Sequence, residues 1–312
     1  MEDYPKSLEE FETRFQTEAE CLDYLSKIRW PEGFVCPRCG SIDSWQTSRG
    51  LWHCKKCSSQ TSVTAGTIFH STHKPLSLWF RAMWFITSQK YGTNALGLQR
   101  VLGFGCYETA WQWLHKLRRA MVRPDRDQLS GCIQVDETYV GGKKSGKRGR
   151  GAAGKALVAI AVEDKGPKGI GRIRLQHIRD ASAESLGGFS TAMIMPGSTV
   201  NTDDWDGYLT LPSLGYKRQI LSSKEMVLPH LVASLLKRWM LGTYQGGIKP
   251  THLEYYLDEF TFRFNRRTSR SRGKLFYRLV QHAMMVDPVA GSDLLAVIPN
   301  SDDADFDDLE SW

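Results

Sequence analysis

Two pairs of closely spaced cysteines constrain the fold of this chain more than any other feature of its sequence. Cys36 and Cys39 form the first pair, Cys54 and Cys57 form the second, and fourteen residues separate Cys39 from Cys54. Two C-x-x-C turns at this spacing are typical of a zinc ribbon, in which four thiolates surround one Zn²⁺. A segment this short cannot build its own core, so we expect structural zinc to stabilise residues 31–70. The alternative is a set of redox-active thiols.

The use of cysteine elsewhere also bears on where the protein resides. The chain has seven cysteines, an odd number, which argues against the disulfide framework of a small secreted protein. No apolar run has the length of a membrane span, and the N-terminus lacks the charged and then apolar pattern of a secretion signal. We therefore expect an intracellular protein with no membrane partner.

The charge of the chain is unevenly distributed. The net charge is +7, but residues 301–312 carry six acidic residues and no basic one, so residues 1–300 have a net charge of +13. A basic body is typical of proteins that bind a polyanion, and we favour nucleic acid over a membrane surface. We expect residues 288–312, which are rich in Gly, Ser and Asp, to form an acidic disordered tail.

Helical patterns dominate the N-terminal part of the chain outside the ribbon. Residues 1–30 place apolar side chains near helical spacing and predict an N-terminal helical segment. Residues 74–123 predict a helix, a short helix and a basic helix, separated by two breaks that contain glycine. This order is typical of a helix-turn-helix, with Arg118 and Arg119 as candidate DNA contacts. The alternative is a purely structural helical spacer.

A strand that carries two adjacent carboxylates opens the third part of the chain. Ile133–Val140 alternates apolar and polar residues, and it contains Asp136 and Glu137. A carboxylate on a buried strand is costly unless a cation meets it, and carboxylates suit Mg²⁺ or Mn²⁺. The basic run that follows suits phosphate and consists of Lys143, Lys144, Lys147, Arg148 and Arg150. This combination indicates metal-dependent chemistry on a nucleic-acid backbone.

The order of elements after this strand predicts the fold of residues 131–287. Two further strands, a helix, a fourth strand that ends in carboxylates, a fifth strand and then helices follow one another, as in an RNase H-like fold. The first and fourth strands are neighbours in that fold, so Asp136 and Asp203 would face each other. We therefore predict a multidomain α+β protein with a zinc ribbon, a helix-turn-helix-like region and an RNase H-like α/β catalytic domain.

Several motifs together resemble a bacterial insertion-sequence transposase with an N-terminal zinc ribbon and a DDE-type, RNase H-like catalytic domain. The resemblance covers most of the chain, from the ribbon to Arg267. The motifs that carry it are the four cysteines, Val135–Gly142, Thr202–Tyr208, Leu236–Thr243 and Tyr256–Arg267.

The resemblance implies a set of catalytic residues. Asp136 is the first catalytic carboxylate and Asp203 the second, while Glu137 points to the other face of its strand. Asp204 is the less favoured candidate for the second position because of the geometry at the strand end.

The third position departs from the usual pattern. DDE families place a Glu seven residues before a Lys, two helical turns apart. Here Lys237 is preceded at that distance by His230, so the resemblance implies a D-D-H site, with Lys237 contacting phosphate. An imidazole nitrogen is a better ligand for Mn²⁺ than for Mg²⁺. The competing third ligands are Glu225, Glu254, Asp258 and Glu259.

The densest basic patch with interleaved aromatic residues is Phe262–Lys274. We predict that Arg263, Arg266 and Arg267 contact DNA phosphates there. The alternative is an arginine-rich helix that Asp258 and Glu259 neutralise.

The resemblance also implies an activity. A DNA transposase binds double-stranded DNA at the terminal repeats of its element, cleaves the ends and joins them to target DNA with two Mg²⁺ or Mn²⁺ ions about 3.5–4 Å apart. We expect a homo-oligomer on DNA, in the bacterial cytoplasm and associated with the nucleoid. The alternatives are a non-catalytic zinc-ribbon DNA-binding protein derived from a transposase, and a resolvase-like nuclease that prefers branched DNA.

Overall fold

The structure is a computed structural model that describes residues 2–123, 125–141, 155–245 and 248–295. The predicted basic run from Lys143 to Arg150 and the part of the predicted tail beyond residue 295 lie outside these residues. In chain order the elements are α1 (Leu8–Arg14), α2 (Glu18–Arg29), β1 (Ser44–Gln46), β2 (Trp52–Cys54), β3 (Gln60–Thr61), α3 (Leu76–Ser88), α4 (Ala95–Leu102), α5 (Tyr107–Arg119), β4 (Cys132–Val140), β5 (Ala156–Asp164), β6 (Ile170–Ile178), α6 (Ala183–Met193), β7 (Thr199–Thr202), β8 (Lys217–Ile220), α7 (Val227–Tyr244), α8 (Leu253–Asn265), α9 (Arg272–Ala283) and α10 (Gly291–Leu295).

The described residues fall into two compact units. Residues up to 123 and residues from 269 onward form the first unit, and residues 125–268 form the second. The first unit holds a small antiparallel sheet in the order β1-β2-β3, and the second holds a sheet of five strands. The predicted α+β architecture with several domains is confirmed.

An aromatic cluster forms the core of the first unit. Phe11 of α1, Phe80 and Trp84 of α3, and Phe276 of α9 pack with ring centroids 4.7–5.8 Å apart. Helix α9 therefore packs against the N-terminal helices, although the sequence analysis assigned residues up to 287 to the catalytic part. The amphipathic pattern of α9 predicted its helix correctly, but such a pattern does not say against which core the apolar face is buried.

Three helices follow the ribbon at the predicted places. Helix α4 begins after Asn94, whose side chain accepts a hydrogen bond from the N–H of Gly97, and it ends at Gly103 with φ of 67°. This left-handed conformation favours glycine and produces the break before α5. Near the C-terminus, α10 begins at Gly291, and Leu294 is buried. The predicted disorder after residue 288 is therefore wrong for this short helix, because Leu294 supplies an apolar anchor.

The second unit is built on a sheet in the order β6-β5-β4-β7-β8. Strands β4, β5 and β6 pair antiparallel, whereas β7 is parallel to β4 and to β8. The first strand of this unit thus lies in the middle of the sheet with the fourth beside it. Residues of α7 and α8 cover one face of β5 and residues of α6 cover the other, which explains why β5 is continuously apolar.

The second unit begins earlier than residue 131, where the sequence analysis placed it. Leu129 is buried and pairs with Ile194 in an isolated parallel bridge, so the segment before β4 is part of the unit. The described part of the chain contains no helix with the length and apolar character of a membrane span.

Candidate active site and zinc centre

The four paired cysteines converge in the first unit. One ligand atom from each of Cys36, Cys39, Cys54 and Cys57 lies within 4.8 Å of all the others. The Sγ atoms of Cys36 and Cys57 are 3.6 Å apart, as are those of Cys39 and Cys54. Four thiolates about 2.3 Å from a central Zn²⁺ would lie about 3.8 Å apart, so the sulfur atoms fit a tetrahedral zinc site. This geometry supports structural zinc over redox thiols.

Local packing and backbone donors prepare this site. The rings of Trp52 and Phe34 stack at 5.3 Å, and Phe34 packs with Cys36 and Cys54 in a small cluster. Backbone N–H groups, that of Cys57 foremost, lower the pKa of Cys54 to about 6, whereas, against a lowering by the N–H of Ser41, burial and the neighbouring thiols raise the pKa of Cys39 to about 12. Because zinc binds thiolates, a depressed thiol pKa favours the metal-binding form of the ligand.

Strand β4 presents alternate side chains to α7. Gln134 accepts a hydrogen bond from the N–H of Leu228, and Thr138 accepts one from Nζ of Lys237 at 2.8 Å. Asp136 lies between these two residues and shares their face. Its Oδ2 atom is 3.1 Å from Nε2 of His230. The predicted first and third ligands, Asp136 and His230, are therefore in direct contact.

Asp203 lies at the end of the neighbouring strand. Strands β4 and β7 pair in parallel register up to Gln134 and Asn201, and Asp136 and Asp203 each come two residues further on. The charge of Asp203 is close enough to contribute to raising the pKa of Asp136. Asp203 is half-buried whereas Asp204 is exposed, which agrees with the choice of Asp203.

The carboxyl group of Asp136 lies in an environment that disfavours its charge. Burial first, and the charge of Glu137 second, raise its pKa from 3.8 to about 6, against a lowering by the adjacent His230. A buried carboxylate with further carboxylates nearby is an arrangement that a divalent cation relieves. The donor set of two carboxylates and an imidazole is compatible with Mg²⁺ or Mn²⁺.

The spacing of the three side chains limits what one ion could do. Among the described residues, only the four cysteines form a group of three or more candidate ligands whose atoms all lie within 4.8 Å of one another. Asp136, Asp203 and His230 do not form such a group. An ion with bonds of about 2.1 Å spans at most about 4.2 Å between two ligands, so a single ion would not reach all three in this arrangement.

The competing third ligands have partners elsewhere. Glu225 accepts hydrogen bonds from the backbone and hydroxyl of Ser222, and Glu254 accepts one from the N–H of His177 on β6. Glu259 is buried and accepts hydrogen bonds from Arg263 and Tyr244. Asp258 lies near Arg126, whose pKa burial lowers and the charge of Asp258 raises. Of the candidates, His230 is the one in contact with Asp136.

Glu137 faces the opposite side of β4, as alternation predicted. Its Oε2 atom accepts a hydrogen bond of 2.8 Å from the hydroxyl of Tyr208, which is fully buried. Burial and the nearby charge of Glu137 raise the pKa of Tyr208 well above its ordinary value, so the phenol stays a donor. The sequence analysis did not identify this pair, although Tyr208 belongs to one of the motifs quoted above.

The predicted DNA contacts have different outcomes. Arg118 is 1% exposed, because it follows Leu114 by four residues and lies on the same buried face of α5. Its side chain therefore cannot reach DNA, and that prediction is wrong. Arg119 is half-buried at the end of α5, and its contact stays a prediction.

The three arginines of the basic and aromatic motif all have partners within the second unit. Arg263 pairs with buried Glu259 at 2.7 Å, which agrees with the alternative of neutralisation. Arg266 lies over the ring of Phe262 at 4.1 Å, and Arg267 lies over Phe264 at 4.2 Å. Arg267 also donates to the carbonyl groups of Ile170 and Gly171 on β6. DNA contacts by Arg266 and Arg267 stay predictions.

Two parts of the chain match the models of known protein families. Residues 16–60 match the transposase zinc-ribbon domain, and residues 128–265 match the ISXO2-like transposase domain. No curated protein matches the chain. The first match includes the four cysteines, and the second includes Asp136, Asp203, His230 and Lys237. The chain therefore belongs to the insertion-sequence transposases that carry an N-terminal zinc ribbon.

Proposed function

We propose that this protein is an active DNA transposase that binds the terminal repeats of its element, cleaves the DNA there and transfers the ends to a target. The observation that carries the proposal is the contact of His230 with Asp136 at 3.1 Å, in the middle of β4 and two residues beyond its last pair with β7. His230 occupies the helical position at which DDE enzymes carry an acid. The contact supports a D-D-H site built from Asp136, Asp203 and His230.

Two Mg²⁺ or Mn²⁺ ions bound there would activate water or a 3′-hydroxyl and stabilise the leaving oxygen. The ligand spacing described above favours two ions over one, and Asp136, Asp203 and His230 are the residues that would hold them. Because His230 supplies a nitrogen ligand, the site should bind Mn²⁺ better than Mg²⁺.

Lys237 extends the site toward the DNA backbone. Two turns of α7 separate it from His230, and its Nζ atom donates to Thr138, two residues beyond Asp136 on the same face of β4. Burial and the nearby Lys155 lower the pKa of Lys237. A scissile phosphate held by metal ions at the carboxylates would meet this ammonium group, which would position the phosphate by charge and hydrogen bonding.

Recognition of the terminal repeats is assigned to the first unit. Arg119 on α5 and the basic residues of the ribbon (Arg38, Lys55 and Lys56) provide phosphate contacts. Because two ends must be cut and joined, the active form is a homo-oligomer on DNA.

The proposal is tested by DNA cleavage and strand transfer on duplexes taken from the DNA that flanks the gene. We expect Asp136→Asn and Asp203→Asn to lose activity by at least about a thousandfold in Mg²⁺ and Mn²⁺, whereas Asp204→Asn, the exposed neighbour, stays within about threefold. Full activity of either aspartate variant would refute the site. His230→Ala, compared with Glu225→Ala and Glu254→Ala, tests the third ligand.

The alternatives predict other results in the same assay. A non-catalytic DNA-binding protein would bind the flanking DNA equally well with and without both aspartates and would cleave it with neither metal ion. A resolvase-like nuclease would cleave branched duplexes in preference to the flanking sequence.

A further inference from the structure

We infer that Glu137 and Tyr208 are positioning residues, which hold the Asp203 loop against β4 and thereby set the spacing between the two metal-binding aspartates. This inference rests on the proposed function and deepens it. Asp136 and Glu137 are adjacent in sequence, but they act on opposite faces of the strand. Asp136 faces α7 and the proposed metal site, whereas Glu137 faces the core beneath the Asp203 loop.

Hydrogen bonds among the described residues attach the segment from Thr202 to Tyr208 to its surroundings. The indole N–H of Trp205 donates to the carbonyl of Ala181 at 2.7 Å, before α6. The guanidinium of Arg218 on β8 donates to the hydroxyl of Thr202 and to the carbonyl of Asp203, each at 3.0 Å. The hydroxyl of Tyr208 donates to Glu137 on β4 at 2.8 Å. Only the last of these contacts joins the loop to the strand that carries Asp136.

The loop has little room to shift. A Cβ atom at Gly207 would lie 2.5 Å from the carbonyl oxygen of Ala181 and 2.7 Å from the indole nitrogen of Trp205. The backbone therefore passes too close to its neighbours for any side chain at this position. Tyr208, the next residue, is fully buried in the core on the α6 side of the sheet. Rigid placement of this kind is what a metal site needs if its ligands are to be in position before the ion arrives.

The hydrogen bond between Tyr208 and Glu137 has the chemistry of a strong positional contact. A hydroxyl that donates to a carboxylate forms a charge-assisted bond, and the protein interior strengthens it. A metal-ligand role for Glu137 would require its oxygen atoms on the α7 side of β4, where Asp136 lies. Besides the effect of its charge on Asp136, Glu137 therefore acts on the metal site through Tyr208 and the loop.

Mn²⁺ binding to the zinc-loaded protein tests this role. Free and bound Mn²⁺ are measured by electron paramagnetic resonance, and only the sites that Asp136→Asn removes are counted. We expect Tyr208→Phe and Glu137→Ala to raise the Mn²⁺ concentration for half-saturation by about tenfold or more. Glu137→Gln keeps an oxygen that accepts from Tyr208 but loses the charge, so we expect a clearly smaller loss of Mn²⁺ affinity than in Glu137→Ala. The Mn²⁺ dependence of cleavage should shift in parallel.

Two results from these variants would overturn the inference. If Glu137→Gln loses as much affinity as Glu137→Ala, Glu137 acts through its charge or as a ligand, and the positioning role is overturned. An unchanged affinity in Tyr208→Phe overturns it as well. Phe189→Leu is the stability control, because Phe189 is buried in the same core and does not belong to the loop. If this variant, at an equal loss of thermal stability, weakens Mn²⁺ binding equally, the effect is general destabilisation.

The failure of the proposed function gives a different pattern. In that case the wild type shows no Mn²⁺ site that Asp136→Asn removes, and the positioning role falls with it. If the wild type binds Mn²⁺ through Asp136 and all three Glu137 and Tyr208 variants bind it equally well, only the positioning role is refuted.

Discussion

Replacing Asp136 with Asn should stabilise the metal-free protein while it removes metal binding. In the fold, burial and the charge of Glu137 raise the pKa of Asp136 from 3.8 to about 6. A group whose pKa is raised on folding costs stability wherever it is ionised. The cost is absent below pH 3.8 and complete above about pH 6, so the free energy of unfolding of the wild type falls as the pH rises through this interval.

The expected size follows from the shift. Each unit of pKa is worth about 1.4 kcal/mol, so the full cost is about 3 kcal/mol, and about 1.5 kcal/mol of it is already present at pH 5. The Asn side chain carries no charge at any pH. The free energy of unfolding of Asp136→Asn should therefore exceed that of the wild type by about 1.5 kcal/mol more at pH 8 than at pH 5. For a unit of this size that corresponds to about 3–6 °C in melting temperature.

The assay is thermal or urea unfolding of both proteins across this pH range, with zinc retained and with buffers passed over a chelating resin. Added Mn²⁺ should reverse the order at pH 8, because it binds the folded wild type and not the variant. Asp204→Asn, an exposed neighbour, should stay within about 0.5 kcal/mol of the wild type at every pH. An advantage of Asp136→Asn that is the same at pH 5 and pH 8, or no advantage at all, would refute the reasoning.

Three further predictions concern the rest of the chain. Cys54→Ser should lower the zinc content, measured by atomic absorption, from one ion per chain to none and unfold the ribbon; a variant that keeps its zinc would contradict the four-cysteine site. Phe276→Ala should lower the free energy of unfolding of the first unit by about 3–5 kcal/mol, measured by denaturant titration, whereas a loss of less than about 1 kcal/mol would mean that α9 is not part of that core. Arg119→Ala should weaken DNA binding and reduce the slope of its salt dependence by about one, measured by fluorescence anisotropy, whereas Arg118→Ala should mainly lower stability; equal effects of both on the salt slope would contradict the burial of Arg118.

The sequence predicted those parts of the site whose chemistry is local or follows from the order of elements. The zinc site could be predicted from the spacing of the four cysteines alone, because each C-x-x-C turn places two sulfur atoms side by side. The proximity of Asp136 and Asp203 could be predicted from the strand order, since β4 and β7 are parallel neighbours and each aspartate comes two residues after their last pair. The separation of Asp136 from Glu137 followed from the alternation of side chains along a strand.

Other features depend on contacts that no local pattern encodes. The positive charge of Arg118 suggested a DNA contact, but its position relative to Leu114 places it in the interior. The charge of Arg263 also suggested a DNA contact, but Arg263 pairs with the buried Glu259 one turn earlier. The contact between Tyr208 and Glu137 joins residues 71 apart along the chain, and its existence depends on how the loop after β7 packs. In each case burial decided what the side chain contacts.

The return of α9 to the N-terminal core has a consequence for how the protein is made. The chain leaves the first unit after residue 123 and enters it again at residue 269, so the second unit is an insertion within the first. During synthesis the ring of Phe276 emerges only after the whole catalytic unit, and until then the aromatic side chains of Phe11, Phe80 and Trp84 lack the ring that packs among them. A chain that stops short of α9 would expose this apolar surface and become a substrate for proteases. The cell would therefore accumulate the folded first unit only together with the second.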